Sequence, residues 1–198
     1  MNFKKIITGL ALSMLLSTGM AVAADFSKGL QAAQSGDFKT ALAVWTPLAE
    51  QGNAMAQFNL GHMYANGYGV PENDKTAVKW FTKAAEQELA EGQFNLGAMY
   101  DFGDGVPEND KTAVKWYTLA AEQGYAIAQR YLGAMYDFGD GVPRNDKTAV
   151  KWYTLASYNG NEVARENKDK VTKQMTPADI STAQDMSSRC LENNYRDC

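Results

Sequence analysis

Apolar positions along this chain recur at helical rather than strand spacing, and the pattern itself recurs. From Ala54 onward, Ala56, Leu60, Met63 and Tyr64 fall at three- and four-residue steps with polar Gln57 and Asn59 between them, which predicts a helix over 54–66. Gly67 can take the left-handed conformation expected just past a helix end. The connector Gly67-Tyr68-Gly69-Val70-Pro71 follows, and its proline cannot continue a helix. Asn73 or Asp74 then caps a second helix. Ala77, Trp80, Phe81, Ala84 and Ala85 form its apolar stripe, with Lys75, Lys79 and Lys83 on the solvated side. Gly61 costs the first helix about 1 kcal/mol relative to alanine. Gly97 and Gly133 repeat that cost, so a close helix–helix approach is expected there.

The unit returns every 36 residues, as the positions of Trp80, Trp116 and Trp152 show. Residues 96–120 and 132–156 match at every position except Glu108 against Arg144. A period between roughly 20 and 50 residues marks a stacked array of supersecondary units, not one globule around a single pocket. Gly124 and Gly160 end the second helices of the second and third units, where the first unit has Glu88. At identical repeat positions the three indoles read as core.

The flanks read as caps. Residues 24–51 hold a helical pair, Phe26–Gln34 and Phe38–Glu50, with Phe38, Leu42 and Trp45 on one face and Pro47 predicting a kink. Residues 52–160 hold the three repeats. In 161–198 a polar helix from Glu162 takes the place of a fourth first helix, with Lys168, Asp169 and Thr172 where leucine, glycine and tyrosine stand in the repeats. Thr176 and Pro177 open a last helix striped by Ile180, Ala183 and Leu191 and ended by Asn193 and Asn194.

Residues 1–23 read differently. Lys4 and Lys5, an apolar run from Ile6 to Met20 and the small residues Ala21-Val22-Ala23 have the layout of a secretory signal peptide. The run is shorter than the roughly 20 residues a membrane span needs. No integral membrane segment is expected once that leader is removed. The chain has a net charge of −4, or −6 without Lys4 and Lys5. An acidic surface is a poor match for nucleic acid, whose phosphates need a basic face. Cys190 and Cys198 are the only cysteines, and in an oxidising compartment an even pair favours a disulfide closing the C-terminal tail.

The segment Ala54-x-Ala56-x-x-x-Leu60-Gly61-x-x-Tyr64-x-x-Gly67-x-Gly69-Val70-Pro71, followed by Ala77-x-x-Trp80-x-x-x-Ala84-Ala85, resembles the Sel1-like repeat, a relative of the tetratricopeptide repeat with a longer inter-helix loop. Gly92 and Ser157 depart from the pattern in the later units. The resemblance implies an all-α fold, a right-handed superhelical α-solenoid of helix-loop-helix units. It also implies an interaction scaffold for a protein or extended peptide, and the signal peptide directs the expected destination to the periplasm or outside the cell. Counting as in the tetratricopeptide relatives, its binding face would be lined by Met55, Phe58, His62 and Asn66. The second unit would add Glu91, Phe94, Asp101 and Phe102, and the third Ile127, Arg130, Asp137 and Phe138. Aromatic and charged groups of this kind suit partner recognition.

The rival reading is an envelope hydrolase of the β-lactam or cell-wall peptide type. A serine or cysteine nucleophile needs a nearby base. His62 is the sole histidine, and the other units carry Ala98 and Ala134 in its place. No Ser-x-x-Lys occurs, and Thr76-Ala77-Val78-Lys79 recurs at 112 and 148, which argues for repeat structure over an active site. One histidine and two terminal cysteines cannot assemble a zinc site. The loops around Asp101-Phe102-Gly103-Asp104 lack the closing glutamate of a calcium loop. No catalytic residue, cofactor or metal is assigned.

Overall fold

The computed structural model describes residues 25–195 and 198, so the expected leader at 1–23 lies outside the described residues. Ten helices and no strand are found among them: α1 (25–34), α2 (Phe38–Glu50), α3 (Ala54–Asn66), α4 (Asp74–Glu86), α5 (Ala90–Phe102), α6 (Asp110–Ala121), α7 (Ala126–Phe138), α8 (Asp146–Tyr158), α9 (Glu162–Thr172) and α10 (Pro177–Glu192). They fall into two compact units, Met1–Glu72 and Asn73–Cys198. In the first, α2 packs on α3. In the second, each helix from α4 to α8 packs on the next, and α10 lies on α8. This is the all-α helix-loop-helix solenoid that the 36-residue period predicts.

Local chemistry sets the boundaries. Asn73, Asn109 and Asn145 cap α4, α6 and α8, each side chain accepting from the backbone N–H of the threonine three residues on, at 2.9, 3.0 and 3.1 Å. Gly67, Gly103 and Gly139 end the first helices in the left-handed region at φ of 67°, 73° and 85°. The helix α2 runs on through Pro47 to Glu50.

The core differs from the expected one at a specific position. The fully buried aromatics are Phe81, Tyr117 and Tyr153, one residue after each tryptophan, at 1%, 0% and 1% exposure. Trp80 and Trp116 are only half-buried, and Trp152 alone is enclosed. The reason is the glycine in the first helix of the pair. A Cβ at Gly97 would stand 2.8 Å from the Tyr117 ring, and one at Gly133 would stand 2.7 Å from Tyr153. The tyrosine lies flat on the glycine, and the indole beside it is turned outward.

A second departure is polar. Gln57, Gln93 and Gln129, which the pattern places between apolar positions, are buried at 4%, 3% and 0% exposure. Their Nε2 atoms donate to the carbonyls of Ala49, Ala85 and Ala121 at 3.0, 3.3 and 3.0 Å. The Oε1 of Gln93 accepts from Gln123 at 2.8 Å, and that of Gln129 from Asn159 at 2.9 Å. One amide thus joins three consecutive helices.

The C-terminal segment seals the third repeat. Cys190 and Cys198 are disulfide-bonded. Lys151 Nζ donates to the Cys198 carbonyl at 2.6 Å, and Tyr195 Oη donates to Asn159 Oδ1 at 2.8 Å. Lys151 is 3% exposed, with Nζ 3.9 Å from the centre of the Trp152 ring. Burial lowers its pKa to about 8. Its counterparts Lys79 and Lys115 are exposed, so the solvated lysine face holds for the first two repeats and fails for the third.

Two outcomes follow for stability. Replacing Gln129 with leucine strands the Ala121 carbonyl and leaves the Asn159 amide only its bond to the Gly124 carbonyl, and should cost about 2 kcal/mol in urea unfolding. Glu88 occupies the left-handed region at φ 62°, where its counterparts are Gly124 and Gly160. Glu88→Gly should therefore stabilise the protein by about 1 kcal/mol, read as a rise in Tm.

Candidate partner-binding face

In the first unit, Met55 is 40% exposed, and His62 and Asn66 are exposed. Phe58 is half-buried, with its ring centre 6.4 Å from His62, which stands 5.9 Å from Tyr68. Although His62 is exposed overall, its ring lies against Phe58 and Tyr68, and this partial desolvation holds its pKa below the ordinary value. Its ring borders a cleft of 310 Å³ shared with Leu30, Phe38, Trp45 and Tyr68. Asn59 also lines it, and its buried Nδ2 has no hydrogen-bond partner. Asn66 donates to the His62 carbonyl at 2.8 Å, which closes the last turn of α3.

In the second unit the expected residues separate into two sorts. Phe94 is packed, its ring centre 5.6 Å from Tyr117, 5.6 Å from Tyr125 and 5.3 Å from Tyr131. Arg130 lies 4.2 Å over the Tyr131 ring. These two residues build the aromatic layer between α5, α6 and α7. Glu91 is half-buried at the start of α5, near Tyr125, whose pKa is raised by burial and then by that carboxylate. Ile127, Phe102 and Phe138 are free surface at 40%, 62% and 73% exposure. The two phenyls occupy the same repeat position, immediately before the helix-ending glycines.

Beside each phenyl stands a half-buried carboxylate. Tyr117 Oη donates to Asp101 Oδ2 at 3.0 Å, and Tyr153 Oη donates to Asp137 Oδ2 at 3.5 Å. Burial raises the pKa of both aspartates. The tyrosine hydrogen bonds oppose this, while Asp110, Asp140 and Glu108 add to it at Asp101. Arg144 counters the rise at Asp137. Tyr117 and Tyr153 are themselves held protonated by burial and by these carboxylates. Both tyrosines brace the carboxylates of the candidate face, and neither was among its expected residues. The signal was available in their fixed position one residue after each tryptophan.

A cleft of 380 Å³ lies elsewhere, between Arg144–Lys147 and Gln174–Asp179. Its charges are spent on one another: Arg144 pairs with Asp146 at 2.9 Å and Lys147 with Asp179 at 3.1 Å. It is the seam where α10 docks. Among the described residues no helix is long and apolar enough to cross a membrane.

Stacked helix pairs carrying exposed aromatic and charged groups define a helical-repeat interaction scaffold. The Sel1 repeat model matches three consecutive segments, 54–89, 90–125 and 126–161. The chain belongs to the Sel1 repeat family. A crystal structure of a Sel1 repeat protein from Oxalobacter formigenes is 37% identical, with a TM-score of 0.68 over 72% of this chain and 59% of that one. A protective antigen of uropathogenic Escherichia coli with an SLR fold is 29% identical, with a TM-score of 0.55 over 88% of this chain and 46% of that one. Cysteine rich protein B of Helicobacter pylori is 25% identical, with a TM-score of 0.54 over 66% of this chain and 93% of that one. The chain spans less than two thirds of the length of the first two. A search of curated proteins finds no significant match. Repeats of this fold are generally protein–protein interaction scaffolds.

The carboxylates yield a stability outcome with a definite sign. A raised folded-state pKa means that ionised Asp101 costs stability at pH 7, and the cost fades as pH falls through its titration. Asp101→Asn keeps an acceptor for Tyr117 and removes the charge. It should stabilise the protein at pH 7 by a few tenths to about 1 kcal/mol, since the site is partly exposed. Denaturation near pH 3 should show no difference from the parent.

Proposed function

We propose that the chain is an exported interaction scaffold that holds a protein or extended peptide on the face formed by α5, α7 and the loops that follow them. Export is supported by the Cys190–Cys198 disulfide, a bond that persists in oxidising compartments. The observation that carries the binding assignment is the pairing of an exposed phenyl with a half-buried carboxylate at equivalent repeat positions, Phe102 with Asp101 and Phe138 with Asp137. Each carboxylate costs stability where it stands, and a partner's lysine or arginine removes that cost on binding. Each phenyl offers apolar area at the adjoining position, the combination found at interface hot spots. The partner's matching element is therefore a basic residue next to an apolar one, presented with a spacing that reaches both loops.

The test is capture from an envelope extract by crosslinking and mass spectrometry. Phe102→Ala with Phe138→Ala should abolish capture while leaving the helical circular dichroism intact, because both rings are exposed. Asp101→Asn with Asp137→Asn should raise Tm and weaken capture at the same time. Unchanged capture by both double variants would remove this face from the function. Phe94→Ala is unsuitable, because it hollows the aromatic layer and acts through the fold.

A further inference from the structure

Residues 110–120 on α6 and 146–156 on α8 are the same eleven side chains in the same order. On α8 one face of that segment is covered by α10, and on α6 the identical face is bare. Lys151, Trp152 and Leu155 are 3%, 2% and 0% exposed. At the matching positions of α6, Leu119 is 36% exposed, Lys115 is exposed and Trp116 is half-buried.

The chemistry of the cover can be read from α10. Its first-turn Asp179 pairs with Lys147 at 3.1 Å. A stripe of small side chains at steps of four and three residues, Ala183, Ser187 and Cys190, is 0%, 2% and 2% exposed. Ser187 Oγ donates to the Ala183 carbonyl of its own helix at 2.8 Å and lies 3.4 Å from the Lys151 carbonyl, and Cys190 packs in one cluster with Trp152 and Leu155. Small residues let the two helices approach closely enough for the indole and the leucine to be enclosed. The first repeat supplies an internal control, since Lys83 replaces the leucine at that position of α4. The apolar form of the face is thus confined to α6 and α8, and among the described residues only α8 has a helix covering it.

We infer that α6, through Lys111, Trp116 and Leu119, docks an amphipathic helix of a protein partner, acidic in its first turn and striped with small side chains on the buried side. The mode is helix-on-helix packing, and the surface that α10 recognises within the chain specifies what the partner helix must look like. This surface shares no residue with the phenyl–carboxylate loops, so it stands or falls separately from the function proposed above.

The test uses the full chain and, as probe, a fluorescein-labelled peptide of residues 176–198 with its disulfide closed, followed by anisotropy. Saturable one-to-one binding is expected. Leu119→Lys, a change α4 shows the helix tolerates, should weaken binding by about tenfold or more, equivalent to roughly 1.4 kcal/mol. Lys111→Glu should weaken it severalfold, and a probe carrying Asp179→Lys should restore it. Asp101→Asn with Asp137→Asn should leave probe binding unchanged. Absence of saturable binding would overturn the proposal. So would sensitivity to Lys147→Glu in place of Lys111→Glu, since the probe would then have displaced the resident α10. Self-association of the chain that Leu119→Lys abolishes would assign the face to a second copy and overturn the partner assignment.

Discussion

The stack depends on a buried carboxamide. A helix pair of this composition cannot hide its own apolar face, so it must lie against the next pair, and the last turn of each second helix is then taken away from water with carbonyls still open. Gln93 answers the Ala85 carbonyl and Gln129 the Ala121 carbonyl, and each amide oxygen is then met by Gln123 or Asn159 from the end of the following second helix. A buried polar group without a partner is costly, and a satisfied one is specific. Slipping any one helix along its neighbour would leave both ends of that amide unpaired. The glycine–tyrosine contact sets the distance within a pair, and the glutamine sets the position of one pair on the next.

That division explains why identical segments meet different surroundings. Within a repeat, Gly97 on Tyr117 and Gly133 on Tyr153 give the same local geometry. What lies beyond the pair is decided by the next element along the chain. The third repeat is followed by α9 and α10, so Lys151 and Trp152 are buried, and the Lys151 ammonium is turned toward the Cys198 carbonyl. The second repeat presents the same lysine and indole to solvent. Desolvation consequently lowers the pKa of Lys151.

Functional groups follow a related logic. Residues at equivalent repeat positions that are exposed in both copies, Phe102 and Phe138, are not needed for packing, which is why the proposed binding face uses them. Residues at a shared position with different side chains, Phe94 and Arg130, complete the aromatic layer between neighbours instead. Such a layer tolerates variety because a phenyl edge and a guanidinium plane both lie well on a tyrosine ring. Asp101 and Asp137 sit between these groups, tied to the core by a tyrosine hydroxyl and open to a partner on the other side.

The sequence by itself determined every feature that a residue and its near neighbours can decide. The asparagine caps, the left-handed glycines, the proline-terminated connectors, the 36-residue period and the paired cysteines are short-range matters, governed by backbone sterics and local hydrogen bonds. Tertiary structure alone decided which face of each second helix is inside. A tryptophan and the tyrosine beside it are both large and apolar, and only the glycine on the facing helix selects the tyrosine. It likewise made Gln57, Gln93 and Gln129 interior residues, buried one lysine out of three equivalents, and gave the Phe94 ring to packing. Each of those outcomes turns on a partner many residues away, whose approach no spacing along the chain records.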